Sequence, residues 1–163
     1  MNIHEEYKKA GQLHGHYCPG LAIGVRAAVE GRTALGEGSL SVLVERSACW
    51  LDGFSLIGAT IGNGKLKIHD TGKPAFSIYN SDTGKALRLV LKTAPQGLSR
   101  DEMTDWLLTA PFEEVFSSGK VKYPFPEYKP AGPEVLCSNC GEPVLESKIR
   151  LVNGKRLCID CAE

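Results

Sequence analysis

The stretch HGHYCPGLAIG, residues His14–Gly24, marks the sharpest change of character in the chain and introduces its main helix. Two histidines and a cysteine stand at alternate positions, and the Pro19 that follows them suits the first turn of a helix. Apolar residues over 21–29 predict a core helix that ends near Gly31. Cys18 therefore lies at the amino end of this helix, and the stretch is a metal site, a nucleophile with its base, or an ordinary turn.

Outside this stretch, the pattern predicts further helices and a group of strands. Residues 2–12 have the spacing of a short amphipathic helix, and residues 48–64 also predict a short helix. Ser99 and Glu102 form a capping box ahead of a helix, and Pro111 opens another. Segments of strand-like composition lie at 39–47, 65–70, 74–80 and 86–92. Because strands follow helices, we predict an α+β fold, an antiparallel sheet with helices.

Length and charge bound the class of protein. A chain of 163 residues with 42% hydrophobic residues can form one domain with a small appendage. Lys plus Arg equals Asp plus Glu at 19 each, so no global field attracts the chain to nucleic acid or to an anionic membrane. No segment reaches the roughly 20 apolar residues of a membrane span, and the charged segment MNIHEEYKKAGQ lacks a signal peptide's apolar run. We expect a cytoplasmic protein with no membrane partner, whose six cysteines bind metal or react as thiols.

A proline-rich segment, VKYPFPEYKPAGPEV, separates the main domain from the carboxyl-terminal cysteines. Its four prolines favour an extended, semi-rigid spacer over a packed element. The predicted organisation is therefore a core domain over 1–118, a Pro-rich linker over 119–136 and a four-cysteine zinc ribbon over 137–163.

The carboxyl-terminal segment carries two CxxC pairs separated by seventeen residues, with all four thiols predicted to bind one Zn²⁺: Cys137, Cys140, Cys158 and Cys161. Between the pairs, Asn153-Gly154 is the strongest short signal for a type I′ hairpin, which would fold the second pair back onto the first. A module of this size cannot bury enough apolar surface to fold alone, so metal binding must stabilise it.

A closed four-thiolate zinc site is structural, because no coordination position remains for a substrate. The ribbon could contact a protein partner. Basic residues near its hairpin are interspersed with Glu142 and Glu146, as on an ordinary solvated face, so nucleic acid is a disfavoured partner; they are Lys148, Arg150, Lys155 and Arg156.

The amino-terminal histidines and cysteine form a second candidate site. In an extended segment residues two apart point the same way, so His14, His16 and Cys18 could face one ion. Cys49 also precedes a predicted helix, where a thiol would have a lowered pKa and could complete the metal site. Alternatively, Cys18 or Cys49 is a catalytic nucleophile with His14 or His16 as its base. The bland alternatives are turn residues for the first motif and a small buried core residue for Cys49.

Four segments together resemble the FmdE family, the E-type subunits of formylmethanofuran dehydrogenase. They are HGHYCPGLAIGVRAA, the CxxD of Cys49 to Asp52, TIGNGKLKIHDTGKPAFSIYN and TGKALRLVLK. The resemblance extends over nearly the whole chain, and a zinc ribbon is often attached in that family.

The resemblance implies a core similar in fold to the catalytic domain of glyceraldehyde-3-phosphate dehydrogenase, and a homodimer. It also implies that residues of the first two motifs line a pocket for a transition metal, namely His14, His16, Cys18 and Cys49. Charged partners in the matched stretches are Asp52, Lys65, Asp70 and Lys73. Ala59 stands where many members of the family have a cysteine.

Three functions remain open. The favoured one is a stand-alone metal-binding protein with a structural Zn²⁺ in the ribbon and a transition metal in the core, where imidazole and thiolate ligands suit Zn²⁺ or another ion such as Ni²⁺. The second is an accessory component of a molybdenum or tungsten formylmethanofuran dehydrogenase, which reduces CO₂ onto methanofuran; the cysteine pattern offers no iron–sulfur chain. The third is a stand-alone thiol-dependent enzyme.

Overall fold

The structure, a computed structural model, describes residues 2–127 and 129–163. Met1 and Tyr128, which belong to the predicted core domain and linker, lie outside the described residues. The chain divides into two compact units, Met1–Pro126 and Glu127–Glu163, with the division inside the predicted linker. None of the helices in the described ranges combines the length and the apolar character that crossing a membrane requires.

The first unit is built around one long buried helix, α2, which spans Pro19–Leu35. The predicted end at Gly31 is wrong, because Gly31 packs against the sheet: a Cβ on this residue would lie 2.2 Å from the Ile78 side chain. The helix ends instead at Gly36, whose backbone N–H donates to the Arg32 carbonyl. The other helical elements of the unit are α1 (Ile3–His14), α3 (Trp50–Gly53), a 3₁₀ turn (Phe54–Ile57), α4 (Arg100–Thr109) and α5 (Phe112–Val115).

Five strands form one sheet in the order β2-β1-β3-β4-β5. Their bounds are β1 Leu40–Val44, β2 Leu66–Ile68, β3 Ala75–Asn80, β4 Ala86–Leu91 and β5 Phe116–Gly119. The β1–β2 pair is parallel and the other three pairs are antiparallel. Val42 lies opposite Ile78, and both belong to the buried cluster that includes the apolar face of α2. The α+β prediction with a mostly antiparallel sheet is therefore confirmed.

Helix α2 is also fixed to α4. The capping box that predicts the start of α4 is confirmed, because the Ser99 hydroxyl and the Glu102 carboxylate each accept from the other residue's backbone N–H. At the other end of α4, the buried guanidinium of Arg26 donates to the carbonyl oxygens of Leu107, Leu108 and Ala110. A helix end leaves such carbonyls without intrahelical partners, so Arg26 satisfies them and anchors α2.

The second unit contains two small antiparallel hairpins. One pairs β6 (Glu134–Leu136) with β7 (Pro143–Leu145), and the other pairs β8 (Arg150–Val152) with β9 (Lys155–Leu157). A 3₁₀ turn (Glu146–Lys148) lies between them and α6 (Ile159–Ala162) follows. Asn153 and Gly154 have φ values of 48° and 76°, as a type I′ turn requires, so the predicted hairpin is confirmed.

Candidate metal centres

The two histidines of the first motif meet at the carboxyl end of α1. His14 is the last residue of α1, and Gly15 follows it in the left-handed conformation, with φ 85°. The imidazole rings of His14 and His16 lie 4.3 Å apart between centroids. The prediction of an extended segment is therefore wrong at His14. The rings converge because a helix ends at a glycine cap, and strand alternation plays no part.

Cys18 is the N-cap residue of α2, as its position in the sequence predicts. Its Sγ atom accepts a hydrogen bond from the backbone N–H of Leu21 at 3.3 Å, a role that serine or aspartate oxygens usually perform. The Tyr7 hydroxyl donates to the Cys18 carbonyl at 3.2 Å. Tyr17 packs over Gly11, where a Cβ would lie 2.1 Å from the tyrosine ring. These contacts hold α1 against the start of α2 and place the buried Cys18 thiol beside His14.

Cys49 reaches the same place because α2 and α3 approach backbone to backbone. A Cβ on Gly24 would lie 2.1 Å from the Trp50 carbonyl oxygen, and a Cβ on Gly53 would lie 2.4 Å from the Val25 nitrogen. Gly20, one turn before Gly24, leaves space for Cys49, since a Cβ on Gly20 would lie 3.0 Å from the Cys49 Cβ. Glycines four residues apart on a helix are the sequence signal for such an approach, and the motif-based prediction misses it.

The four predicted ligand residues of the core do come together: His14, His16, Cys18 and Cys49 each offer one ligand atom, and these atoms all lie within 4.8 Å of one another. A tetrahedral Zn²⁺ ion with two nitrogen and two sulfur ligands separates those atoms by about 3.3–3.8 Å. The His14 Nε2 and Cys18 Sγ atoms are 3.8 Å apart. The donor set and its spacing therefore fit a transition metal, with small adjustments of the side chains.

The Asp52 carboxylate contacts the His14 ring on the side away from Cys18. The Nδ1 atom of His14 lies 2.6 Å from the Asp52 Oδ2 atom, and the His14 side chain is 9% exposed. Because an ionised carboxylate only accepts hydrogen bonds, the Nδ1 atom of His14 is the donor in this contact, and the Nε2 atom faces Cys18. Carboxylates commonly hold metal-binding histidines in this way. The sequence places Asp52 three residues after Cys49, but it does not reveal that His14 is its partner.

The Cys49 thiol differs from its predicted state. Burial raises the pKa of Cys49, and the neighbouring Cys18 thiol raises it further. Helix α3 has only four residues and Cys49 makes no side-chain capping bond to it, so the helix offers little to stabilise a thiolate. The expectation of a lowered pKa is therefore wrong for the metal-free protein. A thiol of this kind becomes a good ligand only when a cation displaces its proton.

The other charged residues named by resemblance lie outside this cluster. Lys65 donates to the Ser39 hydroxyl at 3.1 Å, and Asp70 accepts from the Gly72 backbone N–H at 3.0 Å. Lys73 interacts with Glu45, whose carboxylate pairs with Arg88 in the sheet. Ala59 is fully buried in the apolar core. The four predicted ligand residues of the core thus come together without a cysteine at position 59.

The four cysteines of the second unit also converge, and their Sγ atoms all lie within 4.8 Å of one another: Cys137, Cys140, Cys158 and Cys161. The Cys140 and Cys158 sulfur atoms are 4.0 Å apart, close to the separation of about 3.8 Å in a tetrahedral four-sulfur Zn²⁺ site. The backbone N–H groups of Asn139 and Cys158 donate to the Cys137 sulfur at 3.5 and 3.3 Å.

These N–H donors prepare one sulfur for a metal. Backbone hydrogen bonds from Cys158, Cys140 and Asn139 lower the pKa of Cys137 to about 6. For Cys140, a backbone hydrogen bond from Glu142 acts in the lowering direction, but the neighbouring Cys137 sulfur and burial outweigh it and raise the pKa to about 12. Sulfurs this close cannot all become thiolates without a cation among them.

Each of the two units matches a known protein family. Residues 13–117 match the family model described as FmdE, molybdenum formylmethanofuran dehydrogenase operon. The chain belongs to the FmdE family. Residues 132–163 are similar to the prokaryotic dksA/traR C4-type zinc finger. Together with the two ligand clusters, these matches support metal binding by this FmdE protein.

Two relatives extend the comparison. One is the crystal structure of a tungsten formylmethanofuran dehydrogenase FmdE-like protein from Syntrophus aciditrophicus, with 26% identity and a TM-score of 0.71 over 98% of this chain and 91% of that one. The other, from Archaeoglobus fulgidus, bears the name "Probable S-adenosyl-L-methionine-binding protein" and is 26% identical over 94% of this chain. The chain spans about half the length, 51%, of that curated relative.

Proposed function

We propose that this FmdE protein is a metal-binding protein with two different sites. His14, His16, Cys18 and Cys49 hold a transition metal in the core, and the four cysteines of the ribbon hold a structural Zn²⁺. The observation that carries the core site is the convergence of two imidazoles and two thiols, with the Asp52 carboxylate 2.6 Å from the Nδ1 atom of His14. Metal-binding histidines usually hydrogen-bond to a carboxylate or carbonyl through the ring nitrogen that does not bind the metal, and Asp52 has this position relative to His14.

The mixed ligands favour particular metals. Imidazole and thiolate suit Zn²⁺ and, as alternatives, Ni²⁺ or copper, while Mg²⁺ and Ca²⁺ prefer oxygen. Two thiolates neutralise the charge of a divalent ion, so the buried side of the site carries no uncompensated charge. We therefore propose Zn²⁺ or Ni²⁺ for the core and Zn²⁺ for the ribbon.

Elemental analysis of the full chain tests both sites. The wild-type protein should bind two equivalents of metal, and a Cys137→Ser, Cys140→Ser double variant should keep one. Adding His14→Ala to the double variant should remove that equivalent, whereas His4→Ala, an exposed histidine of the same helix, should not. A double variant that binds no metal while the first unit stays folded would contradict the core site.

An accessory role in a molybdenum or tungsten formylmethanofuran dehydrogenase is a second candidate, supported by the family description and by the name of the Syntrophus relative. The two clusters account for all six cysteines, so no thiol remains to ligate an iron–sulfur cluster. The chain would therefore be accessory in such a complex. Its assembly as a homodimer, its resemblance to the glyceraldehyde-3-phosphate dehydrogenase fold and a protein partner for the ribbon stay predictions.

The thiol-enzyme alternative has less support. A nucleophilic cysteine needs a lowered pKa or an adjacent base. Burial and the Cys18 thiol raise the pKa of Cys49. The candidate base His14 directs its Nδ1 atom to Asp52 and its Nε2 atom toward Cys18 at 3.8 Å, an orientation that suits a shared metal equally well.

A further inference from the structure

The four core ligands differ in how they are held. Asp52 fixes the His14 ring through a 2.6 Å contact, and that side chain is 9% exposed. The Leu21 backbone N–H donates to the Cys18 sulfur, and Cys18 is 6% exposed. Cys49 is partly buried just before α3, and its side chain lies close to Gly20, which has no side chain to obstruct it. Each of these three ligands is therefore positioned by the protein before any metal binds.

His16 has no comparable support. Its side chain is exposed and follows the left-handed Gly15. Its one described contact is the ring contact with His14, and within residues 2–127 and 129–163 no hydrogen bond to a His16 ring nitrogen is present. Because metal-binding histidines are usually oriented by a partner on the second nitrogen, His16 lacks the device that His14 has.

The core site thus has three ligands that the protein holds in place and a fourth that is exposed to solvent. Metal sites that bind molecules from solvent have the same arrangement. Structural zinc sites are closed by four protein ligands, whereas catalytic sites keep three and leave the fourth position to water or substrate. We propose that His14, Cys18 and Cys49 are the permanent ligands of the core metal, and that His16 is an exchangeable ligand whose position accepts a small Lewis base from solvent. This inference rests on the proposed core metal site.

The chemistry of the permanent ligands defines the class of molecule that can enter. Two thiolates already balance a divalent ion, so the incoming molecule gains little from negative charge, and a soft donor matches the ion that these ligands select. A neutral imidazole-type nitrogen, a donor type that the site already uses, fits this description. Displacement of His16 is a simple ligand substitution, in which one metal–nitrogen bond breaks, one metal–donor bond forms and no electron is transferred.

Cobalt substitution in the full chain provides a readout other than activity. Wild type, His16→Ala, His14→Ala and the control His4→Ala are loaded with Co²⁺, and the visible absorption and Co²⁺ affinity of each are measured. The ribbon contributes the same four-thiolate spectrum in every protein, so difference spectra isolate the core site. Imidazole is then added as the probe ligand.

We expect His16→Ala to keep the core Co²⁺ with an affinity lowered by less than about tenfold, because water fills the open position. Imidazole should change its core spectrum saturably, and should do so in wild type only at higher concentrations. His14→Ala should lose at least ~100-fold in affinity, since even removing a supporting partner of a ligand costs 10–100-fold.

Two failures are distinguishable. Wild type and His14→Ala with identical spectra and one equivalent of Co²⁺ each would overturn the proposed core site itself. If wild type binds two equivalents but His16→Ala loses as much affinity as His14→Ala, or does not respond to imidazole, the core site stands and His16 is an ordinary permanent ligand. The exposed position of His16 makes the substitution compatible with folding, which circular dichroism would verify.

Discussion

The two ligand clusters have different relations to the structure around them. In the second unit, the buried residues among those the structure describes are Cys137 and Cys158, two of the proposed ligands themselves. In the first unit the ligands lie at the edge of an apolar core that includes α2, α4 and the sheet. The second unit, the predicted ribbon, therefore has little besides its proposed metal to stabilise it, whereas the residues of the proposed core site lie on a domain with its own apolar core.

The largest difference between the two units is expected when Zn²⁺ is removed. A chelator, or the substitution Cys158→Ser, should unfold the ribbon and leave the first unit folded, because Zn²⁺ supplies about 10–16 kcal/mol in small four-ligand modules. Hydrogen exchange measures this directly: amides of β8 and β9 should lose protection, and amides of β1 and β3 should keep it. Cys49→Ser is the matched control and should leave β8 and β9 protected. A ribbon that stays protected without metal would contradict the comparison.

The ribbon is the more predictable of the two regions. Its ligand set follows from two CxxC pairs, and its β8–β9 turn follows from Asn153-Gly154, since both signals act over a few residues. The strand β6 is missed, because Glu134–Leu136 pairs with β7 across the first CxxC pair and has no strong pattern of its own. Local chemistry determines the first two features, whereas a pairing partner determines the third.

The core site is harder to predict, because packing between distant elements creates it. The sequence singles out the four residues that converge but assigns the wrong backbone conformation to His14, which is helical. It also does not show how Cys49 reaches Cys18, which depends on the glycines of α2 and α3, nor that His14 pairs with Asp52, thirty-eight residues further along the chain. Contacts of this kind require the tertiary fold.

The substitution Gly24→Ala tests the scaffold of the core site. Its Cβ would lie 2.1 Å from the Trp50 carbonyl oxygen, so α2 and α3 must separate. In an open helix position alanine would stabilise by about 1 kcal/mol, but overpacking here should lower the free energy of unfolding by about 3 kcal/mol. Urea denaturation of the first unit measures the effect, and the core metal should be lost with it.

Gly62→Ala is the matched control for Gly24→Ala. A Cβ on Gly62 meets no atom within 4 Å, and the substitution should leave both the unfolding midpoint and the core metal unchanged. The ribbon should keep its Zn²⁺ in both variants, because its ligands belong to the second unit. Equal stability of Gly24→Ala and Gly62→Ala would show that α2 and α3 are not packed backbone to backbone.

The smallest effect is expected from substitutions of Asp52, because they alter the orientation of His14 and leave the packing of α2 and α3 unchanged. Asp52→Asn keeps an oxygen that can accept from His14 Nδ1 but removes the charge, and Asp52→Ala removes both. Because Asp52 is 59% exposed, neither variant should alter the unfolding midpoint. The affinity for the core metal, measured by competition with a chelator, should fall about tenfold for Asp52→Asn and up to about 100-fold for Asp52→Ala. Asp70→Asn is the control: the Asp70 carboxylate accepts from the backbone N–H of Gly72, outside the core cluster, and the variant should match wild type. If Asp52→Ala also matches wild type, the position of His14 at the end of α1 is enough to orient its ring, and the core site needs no carboxylate behind that ring.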